Sequence, residues 1–212
     1  MMLWFGLALL VAGIPALAID RRTAHYFRDY LHPRHQPPTR ALIFLLRTTD
    51  GAKGGPWIIA VALLYAGTQI WMAVNGESPD ARYASDISLA LLASFVVGSV
   101  VLHTIKLFLG RRRPRDDFEH GLYGFTFFQW TLQHNSFPSG HALTIFCVAT
   151  WATALFPAFT PLWFAIAAYF GMSRAVLAVH FTSDVLIGAA IGVIATRETM
   201  VFIFPHLTPS WF

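Results

Sequence analysis

The chain has 212 residues, of which 56% are hydrophobic and 12% charged, about half the charged share of an ordinary soluble domain. Several apolar runs approach the roughly 20 residues that cross a bilayer as a helix, which argues against a conventional soluble globular protein. The formal charge of +4 does not point to nucleic acid, because the basic residues sit in short loops between apolar segments, where anionic headgroups or phosphate-bearing ligands suit them better.

The first apolar run covers residues 2–19. It resembles a signal peptide, but no basic residue precedes it, and Asp20, Arg21 and Arg22 read as a membrane exit, so a retained first span is expected. Residues 20–56 interleave charges and histidines with Tyr26, Phe27, Tyr30, Leu31, Leu42, Phe44, Leu45 and Leu46. That pattern predicts amphipathic helices in the headgroup layer, interrupted at Pro33, Pro37 and Pro38. Further spans are predicted at 57–74, 87–109, 141–156, 161–179 and 184–203. Only Phe156 to Thr160 separates the fourth span from the fifth, which predicts a tight antiparallel hairpin. The single cysteine, Cys147, falls inside the fourth run and is expected to be a small buried hydrophobe. The expected fold is all-α: one domain, residues 1–212, forming a polytopic membrane helical bundle of about six transmembrane helices, with interfacial helices in the loop after the first span.

Ionisable groups at a membrane edge are costly and therefore functional candidates. Lys106 closes the third span, and Arg113 follows seven residues later, before Pro114. If the helix continued, the two cations would share a face and could close on one anion; equally, cations at a helix end can snorkel and complement the helix dipole. Pro138, Ser139, Gly140 and His141 directly precede the fourth run. Backbone N–H groups at such a helix start can hold a phosphoryl oxygen, and a histidine in the first turn can give a proton to a leaving oxygen, although an ordinary N-cap with an interfacial histidine has the same appearance. Ser173, Arg174, His180 and Asp184 lie at the junction of the last two spans. A carboxylate on one ring nitrogen of a histidine fixes its tautomer and leaves the other nitrogen to attack. Counting spans places all three clusters on one membrane face, where they supply cationic and backbone clamps, a nucleophile and an acid, the parts phosphoryl transfer needs.

In order, spacing and residue type, Lys106 with Arg113 and Pro114, then Pro138 to His141, then Ser173 and Arg174 with His180 and Asp184, resemble the tripartite signature of the type 2 phosphatidic acid phosphatases. The motif region covers about residues 106–184. The resemblance implies a metal-independent integral membrane phosphatase without a cofactor. His180 would form a phosphohistidine, Asp184 would orient it and His141 would protonate the departing oxygen. Lys106, Arg113, Ser139, Gly140 and Arg174 would hold the phosphoryl oxygens. Independently, the sequence lacks a compact carboxylate or histidine cluster at metal-ligand spacing. His103, Asp116, Asp117, His120 and His134 match no signature position and read as loop or interface residues.

The partners implied are a lipid phosphate substrate and membrane lipids, with no nucleic acid and no obligate protein partner. Candidate substrates are undecaprenyl diphosphate, phosphatidylglycerol phosphate, phosphatidate and the phosphates of lipid A. The family places such sites in the bacterial plasma membrane, facing the periplasm or exterior. The site face carries thirteen of the fifteen Lys and Arg residues, all but Arg82 and Arg197, and the positive-inside rule alone would turn that face to the cytoplasm. Vanadate-dependent haloperoxidase chemistry shares the anion pocket, but those relatives are usually soluble and larger. A lipid transporter or a lipid-binding protein without hydrolysis is the reading from a different class; paired discontinuous helices in two related halves would signal transport, and none is evident. The aromatics of the second long loop, Tyr123, Phe125, Phe127, Phe128 and Trp130, read as interfacial anchors.

Overall fold

In the computed structural model the described residues are 1–31, 40–128 and 135–212. They form eight α-helices: α1 Met2–Leu31, α2 Arg40–Thr48, α3 Gly54–Asn75, α4 Pro79–Leu109, α5 Pro114–His120, α6 Gly140–Leu155, α7 Thr160–Val176 and α8 Thr182–Ile203. The six expected spans correspond to α1, α3, α4, α6, α7 and α8. Of these, α1, α3, α4 and α8 are long and apolar enough to cross a membrane by length and composition, whereas α6 is shorter and α7 has only 17 residues.

Several boundaries differ from the sequence reading, among them the start of the third span, expected at 87 and found at Pro79. The first span does not exit at Asp20; α1 continues through it to Leu31, because Asp20 is buried and ion-paired. Among the described residues after α1, the structure before the second span is the amphipathic α2 and the short 3-10 turn Thr49–Ala52. Pro33, Pro37 and Pro38 lie outside the described residues. The fifth span, expected to run to 179, stops at Val176, and a turn through Ala178 and His180 follows.

The axis of the bundle is α8. Helices α1, α4, α6 and α7 all pack against it, and most of its residues from Ser183 to Met200 are buried. The approach of α6 is set by Gly188 and Gly192. A Cβ at Gly188 would stand 2.3 Å from the Ser139 carbonyl oxygen, and one at Gly192 would stand 2.6 Å from the Leu143 carbonyl oxygen. Small residues at such a crossing let two helix backbones come together, the packing mode open to helices that lipid does not push together. By contrast, α3 pairs with α4 and turns Ile59, Leu63, Ile70 and Val74 outward, the surface expected where the solvent is hydrocarbon. One interhelical hydrogen bond, from Gln69 Nε2 to Ser85 Oγ at 2.7 Å, joins α3 to α4.

This packing makes Gly188 a point where added volume has nowhere to go. Gly188→Ala is expected to destabilise the protein by about 1–3 kcal/mol in a thermal unfolding assay in detergent. Gly67→Ala, where a Cβ meets nothing within 4 Å, is expected to be neutral or stabilising; equal effects at the two glycines would contradict the crossing described.

Candidate active site

One end of the bundle collects all three sequence clusters. Lys106 lies in the last turn of α4. The helix does not carry on to Arg113, as a shared helical face would have required. It stops at Leu109, Gly110 takes a left-handed φ of 46°, and Arg113 becomes the N-cap of α5. Arg113 still reaches the neighbourhood of Lys106, His141 and His180, because its charge acts on all three. Lys106 Nζ donates to the Asn135 carbonyl at 2.8 Å and also contacts the Asn135 side-chain oxygen.

Ser139 is the N-cap of α6, where its side chain replaces an absent intrahelical acceptor. Its Oγ accepts from Ala142 N–H at 3.5 Å, and its carbonyl accepts from Leu143 N–H at 3.1 Å. The Ser139 N–H is itself used, donating to the Asp184 carbonyl at 2.9 Å. Among the described residues no partner takes the N–H of Gly140 or His141, so these two donors remain available to an anion. A Cβ on Gly140 would meet nothing within 4 Å, so there is open space beside them.

Arg174 sits in the last turn of α7 and donates from Nη1 to Thr49 Oγ1 at 3.2 Å. Thr49 in turn contacts Ser173 Oγ at 2.9 Å, which docks the turn after α2 onto the end of α7. The Arg174 carbonyl accepts from both Val179 N–H and His180 N–H, at 3.0 and 3.1 Å. His180 is thus held by the backbone of the arginine six residues before it. Ala178 reaches this turn with a φ of 53°, a conformation that costs an L-residue with a side chain.

His180 is 3% exposed and Asp184 fully buried. His180 Nδ1 stands 3.5 Å from Asp184 Oδ2, a contact that does not meet hydrogen-bond geometry, so the ring nitrogen has no hydrogen-bond partner among the described residues. That oxygen already accepts from Ser136 Oγ at 2.5 Å and Phe181 N–H at 2.9 Å. Burial pushes the His180 pKa below its ordinary value; Asp184 opposes the shift, and Arg113 and Lys106 add to it. The imidazole is therefore neutral at neutral pH, the form that can attack. The His141 ring lies with its centroid 6.5 Å from that of His180. Its Nε2 is buried with no hydrogen-bond partner among the described residues, and Arg174, Lys53 and Arg113 surround it.

Every residue expected at the site comes to this end, but several that shape it had gone unnoticed. Arg111 is completely buried, with Asp184 and Asp20 as partners. Burial alone would lower its pKa, yet the two carboxylates hold it above the ordinary arginine value. Asp117, expected in a loop or interface, is buried; it takes Arg21 Nε at 3.1 Å and lies 2.8 Å from His25 Nε2, fastening α5 to α1. Tyr123 and Phe125, expected as interfacial anchors, both flank the Arg111 guanidinium, and Tyr123 is exposed as well. Phe127 and Phe128 are exposed as anchors should be. Trp130 and His134 lie outside the described residues. A signal for Asp20 does exist in the sequence, a carboxylate at the end of an apolar run, but it gains meaning only once the helix is known to continue.

With this geometry in place, comparison with known proteins decides the family. The sequence profile of the PAP2 superfamily matches residues 87–207, more than half of the chain. The protein belongs to the PAP2 superfamily. Two lipid A 1-phosphatases resemble it, from Rhizobium etli, 30% identical over 141 residues, and Rhizobium johnstonii, 29% identical over 141 residues. Each alignment covers 64% of this chain, with 60% and 57% of the respective relatives, so the chain spans little more than half the length of either. Two solved structures share the fold at 20% identity. Aquifex aeolicus LpxE matches with a TM-score of 0.57 over 84% of this chain and 94% of its own. A phosphatidylglycerolphosphate phosphatase from Bacillus subtilis matches with a TM-score of 0.56 over 95% and 93%.

The turn that presents His180 can be tested apart from any chemistry. Ala178→Gly removes the left-handed strain at the cost of a more flexible unfolded chain, so stability is expected to be unchanged or to rise by up to about 1 kcal/mol. Ala178→Val is expected to unfold the protein at markedly lower temperature. Thermal denaturation of the two variants in detergent reads both effects.

Proposed function

We propose that this PAP2 protein is a membrane lipid phosphatase working through a phosphohistidine on His180. The observation that carries the reading is the pair of imidazoles, His180 buried and His141 half-buried, with centroids 6.5 Å apart, at a helix N-terminus and within the electrostatic reach of Lys106, Arg113 and Arg174. The phosphoryl group of a lipid phosphomonoester or diphosphate binds between the rings, its oxygens on the three cations and on the N–H groups of Gly140 and His141. Asp184 faces Nδ1 of His180, so Nε2 is the attacking nitrogen. As the N–P bond forms, the bond from phosphorus to the lipid oxygen breaks, and His141 gives its proton to that oxygen; the dianionic phosphate favours the charged form of His141 that this requires. Water then attacks phosphorus, the N–P bond breaks, and inorganic phosphate leaves. Residues 1–212 act as one catalytic domain in this scheme, and it uses no cofactor or obligate protein partner.

The names of the rhizobial relatives put the phosphates of lipid A first among substrates, ahead of undecaprenyl diphosphate, phosphatidylglycerol phosphate and phosphatidate. Phosphate release from these four, with EDTA present, is expected to be strongest for one class and to drop roughly 10³-fold or more in His180→Ala. His141→Ala is expected to slow lipid hydrolysis roughly 10²-fold or more, but to slow p-nitrophenyl phosphate far less, because that leaving group departs without a proton. For p-nitrophenyl phosphate, whose leaving group needs no proton from His141, kcat/KM is expected to hold as pH falls through ordinary imidazole values near about 6.5 and to decline only below them, since burial lowers the His180 pKa. Release abolished by EDTA would remove the metal-independent mechanism, and no release from any lipid by folded protein would favour binding or transport.

The same reading turns the site to the periplasm or exterior of the bacterial plasma membrane. Glu119, exposed at the site end, reports on this. In a Cys147→Ala background, Glu119→Cys is expected to react with a membrane-impermeant maleimide in intact spheroplasts. Reaction only after lysis would reverse the orientation.

A further inference from the structure

The hydrogen bonds that fix Asp184 do not end at the site. Asp184 Oδ1 accepts from Arg111 Nη1 at 2.6 Å, and Arg111 Nη2 donates to Asp20 Oδ2 at 2.8 Å. Asp20 stands on α1, outside residues 87–207 that the superfamily profile covers. Its Oδ1 accepts from Ser183 N–H at 2.9 Å, and its Oδ2 also receives the Ser183 hydroxyl. The Ser183 oxygen in turn accepts from Arg111 Nη1 at 2.8 Å. All four residues are 0% exposed.

Arg111 is also held in its backbone and at its faces. Its carbonyl accepts from Ser136 N–H at 3.0 Å, and Ser136 Oγ reaches back to Asp184 Oδ2. The guanidinium carbon lies 4.3 Å from the centre of the Phe181 ring and 5.0 Å from that of Phe125. A planar fork wedged between rings has one orientation, and that orientation sets both carboxylates it touches.

We propose that Asp20 and Arg111 are positioning residues for the His180–Asp184 pair. Resting on the phosphatase reading above, this makes α1 a working part of the site rather than only a membrane span. Arg111 fixes Oδ1 of Asp184, leaving Oδ2 turned to Nδ1 of His180. Asp20 keeps the guanidinium from swinging wholly onto Asp184, which would draw that carboxylate's charge away from the imidazole. Neither residue reaches the substrate, so the loss on mutation falls in kcat rather than in KM.

The test uses the full chain in detergent, labelled with 15N-histidine, with the His180 resonance assigned by its disappearance in His180→Gln. In the wild type, His180 is expected to carry its proton on Nδ1 and to show a bare Nε2. Asp20→Asn is expected to move His180 toward a mixture of tautomers and to lower kcat roughly 10- to 100-fold, with KM changed less than about threefold. Arg111→Lys is expected to move both readouts further in the same direction. In an Asp184→Asn background, Asp20→Asn is expected to add less than about a twofold further loss. Should Asp20→Asn fail to fold, Ser183→Ala removes one hydroxyl from the same chain of bonds and is expected to give a smaller tautomer shift of the same sign. An unchanged His180 tautomer in these variants overturns the proposal, as does an equal kcat loss with and without the Asp184 carboxylate, which would mean that Asp20 only docks α1. If the wild type hydrolyses no lipid, the phosphatase reading falls, while the tautomer shift still decides whether Asp20 and Arg111 position the pair.

Discussion

An arginine cannot shed its charge at any pH a protein meets, and removing such a charge from water costs several kcal/mol unless partners are supplied. Arg111 is buried completely, and the site end of this protein is arranged around that fact. Two carboxylates, the Ser183 hydroxyl and the Tyr123 hydroxyl receive its N–H groups, and aromatic rings close over it. Those partners come from α1, from the loop after α5 and from α8, so one guanidinium ties together chain segments that are far apart in sequence. Taking one member from a buried ion pair costs about 3–5 kcal/mol, a large part of the stability of most proteins. The partners of Arg111 are therefore constrained with it.

The rest of the molecule follows from having two solvents. Toward lipid, α3 and the outer face of α1 present side chains such as Trp4, Val11, Leu63 and Val74, all more than 60% exposed, which would be an aggregation hazard in water. Toward the interior, some helix hydroxyls return to their own backbone, as Ser94 does to the Ala90 carbonyl and Thr150 to that of Phe146, while those of Thr153 and Thr199 have no hydrogen-bond partner among the described residues. The buried charged side chains Asp20, Arg111, Asp117 and Asp184 lie at the end carrying His141 and His180.

Much of this was legible in the sequence because its signals are local. Apolar run lengths placed six of the helices, and residue types at fixed offsets picked out His141, His180 and Asp184. What stayed hidden depends on where the chain returns. Arg111 sits in a run with Arg112 and Arg113, and nothing local says which of the three turns inward. Asp20 resembles a solvated charge at a membrane exit until α1 is seen to run on past it. Asp117 has the composition of a loop residue, yet it is buried by Arg21 and His25, which precede it by more than ninety positions. Counting cations per face to infer orientation shares this weakness, since it treats Arg111 as though it met the water.

The hairpin of α6 and α7 has 16 and 17 residues, or roughly 24 to 26 Å of helix, against a hydrocarbon layer of about 30 Å. The pair is too short to bring both of its ends level with the two membrane surfaces. With the Phe156 turn at one surface, the helix start that bears Ser139 and His141 falls several ångströms beneath the other. On the proposed reading, a lipid phosphate held there would sit in a depression of the bilayer, with its acyl chains still among their neighbours. Such a lipid could be worked on without being lifted out, and a dephosphorylated product could leave sideways by diffusion within its own leaflet.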